Sequence, residues 1–308
     1  MFELWIFLIL IPPFIWALAN FYDKVLISKL FSGVYSFIFF TSIISLPFAI
    51  LCMLLFGFYE FLGLLYTSIL LVMGFCFMTS FILYGKALEI EESSKVGSLF
   101  VFVTIFIMFF EFVFLGNSLT ILQYFASIII IISSLIMINS NQITSIFSIF
   151  KVNRAFVYMM INSLLIAIHF TLLRYFLERY ELLPILFWIF SGSLLFLFSM
   201  LFYKPSRVEI LRSGKKIVGK KIFVATLIVV NILTILPDVV YNYVISIAPS
   251  VALVSVVANV QYIFLFIFGI VFTKYLPSYF EENIESKQLF IKALCVIGIL
   301  GGVMLIQL

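Results

Sequence analysis

The stretch Tyr241-Asn-Tyr-Val-Ile-Ser-Ile-Ala-Pro-Ser250 shares a pattern with the earlier stretch Tyr84-Gly-Lys-Ala-Leu-Glu-Ile-Glu-Glu-Ser93. Both read Y-x-x-[AV]-[LI]-x-I-x-x-S, and a further serine, Ser98 or Ser255, follows five residues later. A serine side chain can accept a hydrogen bond from a free amide of a first helical turn, so serine often precedes a helix. Each copy is therefore predicted to end one helix, turn tightly and begin the next helix near its serine.

The composition excludes the classes of water-soluble protein. Of the 308 residues, 65% are apolar and 40 are Phe, whereas only 18 Lys or Arg and 14 Asp or Glu carry charge. A soluble globule needs more polar residues to cover its surface, so we predict an integral membrane protein. The three cysteines stand singly and His169 is the one histidine, which disfavours a disulfide framework or a metal site. No cofactor is expected.

Ten apolar stretches are candidates to cross the roughly 30 Å hydrocarbon core of a bilayer as helices. Most are apolar on every face, which is typical of helices in lipid and not of alternating barrel strands. The fold is therefore predicted to be all-α with ten transmembrane helices. The first is expected to be retained, and not removed as a signal peptide, because no basic residue precedes it. The predicted segments are 4–22, 33–57, 62–88, 96–115, 120–138, 155–177, 182–203, 222–246, 250–272 and 289–308.

A polar stretch at 140–154 divides the chain into two halves of five segments each. We predict a first repeat over 1–145 and a second over 146–308, because the shared pattern joins the third and fourth segments of each half. Five is odd, so the second half must enter the membrane from the opposite side. Inverted repeats of this kind form many secondary transporters, in which the halves rock about a central site.

This layout resembles the EamA-like proteins of the drug/metabolite transporter superfamily, which have two repeats of five helices. The resemblance lies in the architecture and in two stretches that carry the pattern, Tyr84–Val103 and Tyr241–Val260. The chain departs from the family's frequent Leu-Gly-Glu, since it has Leu115-Gly116-Asn117 and Phe272-Thr273-Lys274. Its second segment also lacks an arginine that many members carry. The resemblance implies a membrane transporter and not an enzyme, with both termini in the cytoplasm.

The positions of the basic residues predict the opposite orientation. Lys and Arg near helix ends favour the cytoplasmic side, and of the 18 all but Arg174 and Arg179 lie at the odd-numbered connections. This bias places those connections in the cytoplasm and both termini outside, in a plasma or inner membrane. The most basic connection, 204–221, is interpreted as a topology determinant against anionic headgroups and not as a nucleic-acid site.

The eighth segment carries the clearest candidate site. Its polar residues fall on one helical stripe about 100° wide: Asn231, Thr234, Asp238, Tyr241 and Asn242. Pro237 interrupts the backbone hydrogen bonds there, which frees a carbonyl for a ligand or water. A carboxylate at this depth is costly, so it indicates a substrate or ion pathway. The alternative is that the stripe only joins helices through hydrogen bonds.

Polar and aromatic residues at helical spacing on other segments are predicted to complete a substrate site. The predicted substrate-binding residues are Trp16, Asn20, Ser80, Tyr84, Asn162, His169, Asp238, Tyr241, Asn242 and Asn259. In a chain so rich in Phe, the alternative for the aromatic residues is packing or lipid contact. The fifth and tenth segments are interpreted as peripheral scaffold, and Gly298-x-x-x-Gly302 predicts close packing of the tenth.

Three ionisable residues fall at one depth. Glu111, His169 and Asp238 lie about 14–16 residues from the basic ends of their segments, which at about 1.5 Å per residue puts them in one layer. We therefore predict a coupling site with Asp238 as the main residue, His169 as its partner and Glu111 third. The alternatives are a structural hydrogen-bond cluster and, for Glu111, a buried link to a basic residue.

These features predict a secondary transporter that moves a small polar metabolite by alternating access, with proton coupling as a hypothesis. One alternative is a flippase for a lipid or lipid-linked sugar, which a groove lined by many aromatic residues would favour. A membrane-embedded enzyme is a second alternative, but the sequence has no HExxH and no paired-aspartate motif. It also has no phosphate-binding loop for direct use of ATP. The functional unit is expected to be a monomer.

Overall fold

A computed structural model describes residues 4–91, 96–97, 99–139, 153–217, 221–275 and 286–306, which are helical with short turns and contain no strands. The predicted helix cap Ser93, the pattern serine Ser98 and most of the polar boundary at 140–154 lie outside the described residues. The helices are α1 (Leu4–Leu8), α2 (Ile11–Lys29), α3 (Val34–Leu55), α4 (Leu64–Ile90), α5 (Val101–Phe110), α6 (Ile121–Asn139), α7 (Arg154–Leu177), α8 (Leu182–Phe202), α9 (Lys204–Ile217), α10 (Lys221–Ile247), α11 (Val251–Ala258), α12 (Gln261–Tyr275) and α13 (Ser286–Ile306).

Apolar helical segments occur at the positions of the ten predicted ones. Five are long and apolar enough, by length and composition, to cross a membrane: Val34–Leu55, Leu64–Ile90, Arg154–Leu177, Leu182–Phe202 and Val251–Phe272. The shorter apolar helices are Leu4–Asn20, Val101–Leu115, Ile121–Met137, Asn231–Ile247 and Phe290–Ile306. Large apolar side chains face outward, among them Ile121 and Phe202, which are 89% and 87% exposed. Such a surface is stable against lipid, so the all-helical membrane class is confirmed. The inverted relation between the halves stays a prediction.

Three of the segments are interrupted, each at residues that disturb helical hydrogen bonding. Pro12 and Pro13 fall in the first turn of α2, after the break that separates it from α1. At Glu111, α5 passes into a π-helical turn that ends at Gly116, whose φ of 69° is left-handed. Asn259 divides α11 from α12, and its side-chain amide donates to two carbonyls of the preceding turn.

The basic connection after the seventh segment contains a helix and is not only a loop. Ser206, Ile210 and Ser213 are buried on one face of α9, whereas its described lysine and arginine side chains are exposed. The Glu209 carboxylate accepts a hydrogen bond of 3.1 Å from the Tyr35 amide at the start of α3, where the helix dipole favours negative charge. Burial raises the pKa of the Glu209 carboxyl, while the amides at the start of α3 act in the opposite direction. These contacts hold α9 against the bundle.

Helices α4 and α8 pack closely because each contributes a glycine to the contact. A side chain at Gly74 would meet the backbone carbonyl of Ile189, and one at Gly192 would meet the backbone of Leu71. The Ser193 hydroxyl adds a hydrogen bond of 3.2 Å to the Gly74 carbonyl. In lipid, close packing of this kind replaces the hydrophobic effect as the attraction between helices.

The predicted close contact of the tenth segment is confirmed. A side chain at Gly298 would meet Ser133, and one at Gly302 would meet Ile130, both on α6. The fifth and tenth segments, α6 and α13, therefore pack against each other. Gly301 faces away from this contact, and a side chain there would meet nothing within 4 Å among the described residues.

We predict that Gly192→Val lowers the free energy of unfolding by about 1–3 kcal/mol or more, because the added methyl groups collide with backbone and not with a movable side chain. Gly301→Val is the matched control, since it makes the same substitution in a helix without a collision. The measurement is thermal unfolding of the purified protein in detergent. Equal melting temperatures for the two variants would contradict this packing.

Candidate functional site

The polar stripe of α10 faces α2. The Trp16 side chain hydrogen-bonds the Asp238 carboxyl, and because an indole nitrogen can only donate, Asp238 is the acceptor. The Trp16 ring centroid also lies 5.2 Å from that of Tyr241. The structure thus brings together three of the predicted site residues, from the first and eighth segments.

Tyr241 continues into a buried hydrogen-bonded group with Thr104, Ser255 and Asn259, which we call the Tyr241 cluster. Ser255 hydrogen-bonds the Tyr241 side chain, and its hydroxyl oxygen lies 2.9 Å from Thr104 Oγ1. The Asn259 amide nitrogen donates to the same Thr104 oxygen at 3.2 Å. The cluster joins α10, α11 and α5. Thr104 and Ser255 were not among the predicted site residues, although Ser255 shares a helical face with Asn259.

Tyr84, the counterpart of Tyr241 in the shared pattern, also contacts α2. Its hydroxyl donates to Asn20 Oδ1 at 3.0 Å, and Asp23 lies beside it. Asn20 is one helical turn from Trp16, so the two pattern tyrosines meet α2 about 6 Å apart along its axis. Asp23 was missing from the prediction, and the available signal was its position one turn after Asn20.

Asn162 and Ser80 are brought together, but as a link between helices. The Asn162 amide nitrogen donates to the Ser80 backbone carbonyl at 2.7 Å, which joins α7 to α4. The Ser80 hydroxyl donates within its own helix, to the Phe77 carbonyl. Asn242 is buried on α10, and its side-chain oxygen has no hydrogen-bond partner among the residues that the structure describes.

His169 faces α4 and does not pair with Asp238. Its ring stacks on that of Phe77, with centroids 4.4 Å apart, and one ring nitrogen donates to the Met73 backbone carbonyl. The other nitrogen, Nδ1, has no partner within the described parts of the chain. The predicted pair of His169 and Asp238 is therefore not formed, because depth along a helix does not determine which neighbour a side chain meets.

Glu111, the third predicted coupling residue, caps a helix. Its carboxylate accepts hydrogen bonds from the Ser250 hydroxyl at 2.8 Å, the Ala252 amide at 2.6 Å and the Val251 amide at 3.2 Å. Asn117 donates a fourth, at 3.4 Å. Only 1% of Glu111 is exposed. A carboxylate in this position is stabilised by the free amides and by the dipole of α11, so the geometry indicates a structural role.

The same turn, residues 248–250, is held from its other side by Arg174. The Arg174 Nη1 atom donates to the carbonyls of Ile245 at 2.8 Å and Ala248 at 2.9 Å, at the end of α10. The Ser250 hydroxyl accepts from the Leu253 amide at 3.2 Å, which confirms the predicted serine cap. Sequence reasoning missed Arg174. The available signal was its isolation from nearly all the other basic residues, which lie at the opposite membrane face.

We predict that Glu111→Gln lowers the free energy of unfolding by about 1–3 kcal/mol, because the amide keeps the shape but replaces one acceptor oxygen with a donor and leaves a buried helix amide unpaired. The control is Glu181→Gln, at an exposed residue. Thermal unfolding in detergent measures the difference. A melting temperature equal to that of the control would show that Glu111 is not an important cap.

Known proteins match this chain in sequence and in fold. Residues 3–139 match the EamA-like transporter family. No curated protein matches the chain. A solved structure described only as "Crystal structure of protein" covers 98% of this chain and 94% of its own, with a TM-score of 0.65 and 13% sequence identity, which concerns the fold alone. The predicted resemblance is confirmed over residues 3–139. The family match indicates a multi-pass membrane transporter of the drug/metabolite type and not an enzyme.

Proposed function

Because residues 3–139 match the EamA-like transporter family, we propose that the chain is a secondary transporter of a small polar metabolite and works by alternating access. The observation that carries the proposal is Asp238, a carboxylate within an apolar helix that meets Trp16 across the contact of α10 with α2. Helix packing alone does not require a carboxylate at this depth. Intramembrane carboxylates commonly lie on substrate or ion pathways.

The proposed site lies where the two predicted repeats meet. Helix α2 belongs to the predicted repeat 1–145, and α10 belongs to 146–308. In transporters built from inverted repeats, the substrate site lies near the midplane at the repeat interface. The hydrogen bond between Trp16 and Asp238 crosses that interface, so rocking of one half against the other would form and break it. One chain supplies both sides of the site, which favours a monomer as the functional unit.

The groups at the site favour a substrate with hydrogen-bond donors and a flat or apolar part. Asp238 supplies acceptor oxygens, and Trp16 and Tyr241 supply aromatic walls. The ring of Phe170 extends these walls, 4.9 Å from that of Tyr241. An aromatic wall beside a carboxylate also suits an organic cation, since the ring face attracts positive charge.

Six of the predicted substrate-binding residues are retained in this proposal: Trp16, Asn20, Tyr84, Asp238, Tyr241 and Asn242. We assign Ser80, Asn162 and Asn259 to hydrogen bonds between or within helices, because their polar groups are engaged there. We place coupling at Asp238 alone, since His169 faces α4 and Glu111 caps α11. A proton bound by Asp238 in one state and released in the other would link proton movement to the rocking of the halves.

We predict that Asp238→Asn folds but reduces uptake at least about tenfold, the equivalent of about 1.4 kcal/mol, because the amide can neither take up a proton nor carry charge. Uptake is measured in proteoliposomes against pooled metabolites, with an imposed pH or sodium gradient. The control is Glu181→Gln, and melting temperatures establish that both variants fold. Uptake by Asp238→Asn that keeps the wild-type dependence on the pH gradient would contradict the proposed role.

We also propose that the basic ends of the helices face the cytoplasm, with both termini outside. Exposed Lys204, Arg207 and Arg212 on α9 lie at the same end of the α7–α8 pair as Arg154, which agrees with the charge bias. Reporter fusions at Leu308 and within 204–221 test the orientation. We expect an active cytoplasmic reporter within 204–221 and none at Leu308. A cytoplasmic reporter at Leu308 would reverse the orientation.

A further inference from the structure

A groove between α4 and α7 lies on the face of α7 that carries His169. It has a volume of about 360 Å³ and is lined by Leu65, Val72, Met73, Leu165, Ile168 and His169, among others. Leu65 is 69% exposed and Val72 is 61% exposed, so the mouth of the groove faces the hydrocarbon of the membrane. His169 is only 4% exposed and forms part of the floor.

The floor of the groove presents a hydrogen-bond acceptor. A neutral imidazole has one donor nitrogen and one acceptor nitrogen. Because one nitrogen of His169 donates to the Met73 carbonyl, Nδ1 is the acceptor, and the described residues offer it no partner. Buried polar atoms in folded proteins are nearly always paired, so an unpaired acceptor at this depth points to a donor from outside the chain.

We propose that the groove binds a lipophilic molecule dissolved in the membrane, whose hydroxyl or amino group donates to Nδ1 of His169. At roughly 30 Å³ per heavy atom, the volume admits an apolar body of about a dozen atoms. Water fits the groove poorly, because a buried water needs about two to four polar partners. The nearby Ser68 hydroxyl already donates to the Leu64 carbonyl of its own helix.

The groove shares a wall with the proposed transport site. The ring of Phe170 lies 5.2 Å from that of His169 and 4.9 Å from that of Tyr241. A molecule in the groove is therefore one aromatic ring away from the Tyr241 cluster. The groove proposal does not depend on the transport function, since binding is measured without uptake.

The test uses the purified full chain in lipid nanodiscs with two photoactivatable probes. One probe is a diazirine-bearing dodecanol, and the other is its methyl ether, which has the same apolar body but no donor. Crosslinked peptides are mapped and quantified by mass spectrometry. We expect the alcohol to label the groove peptides roughly fivefold more than the ether, about the contribution of one hydrogen bond. Equal labelling by the two probes would overturn the proposal.

Two variants separate recognition by His169 from simple solvation by lipid. His169→Phe keeps a ring to stack on Phe77 but removes the acceptor, so the preference for the alcohol should disappear. Val72→Trp, at an exposed position, should fill the mouth and reduce labelling by both probes. The matched control Leu195→Trp, on the exposed surface of α8, should leave labelling unchanged. A preference that persists in His169→Phe, or groove labelling unaffected by Val72→Trp, would overturn the proposal.

Discussion

The beginning of α11 is held in the apolar interior by the Glu111 carboxylate, and the end of α10 by the Arg174 guanidinium. Helix ends leave backbone amides and carbonyls without partners, and lipid offers none in their place. The two charges have the signs that the helix dipoles require at these ends. Asp238 and Tyr241 precede this turn on α10 and Ser255 follows it on α11, so the capped turn sets how the site residues of the two helices align.

The caps also connect the two halves of the chain. Glu111 lies in the first half, whereas the helix that it caps lies in the second. At the other pattern-bearing junction, Asn153 of the second half donates to the Glu91 carboxylate of the first at 2.6 Å, and its side-chain oxygen caps the Phe156 amide of α7. At both junctions, therefore, a carboxylate from the first half holds the beginning of a helix of the second. Rocking of the halves would occur about these two links.

Helix α2 is the element on which the pattern tyrosines of both halves converge. Tyr241 packs on Trp16 and Tyr84 donates to Asn20, one turn further along the same helix. The interruption before α2, at Pro12 and Pro13, leaves the first segment as a short helix and a longer one. The residues that contact both halves all lie on the longer helix. A rotation of α2 would therefore change the surroundings of both tyrosines together.

The sequence by itself determined the membrane class, the ten apolar helical segments, the serine cap of α11 and the convergence of Trp16, Asp238 and Tyr241. These follow from composition and helical periodicity, which define length, depth and the polar face of one helix. The tertiary structure decided which neighbour each buried polar group meets, and so made Glu111 a cap, turned His169 toward the lipid-facing groove and gave Arg174 a role. Most of these helices are apolar on every face, so periodicity carries almost no signal for how one helix is rotated against another.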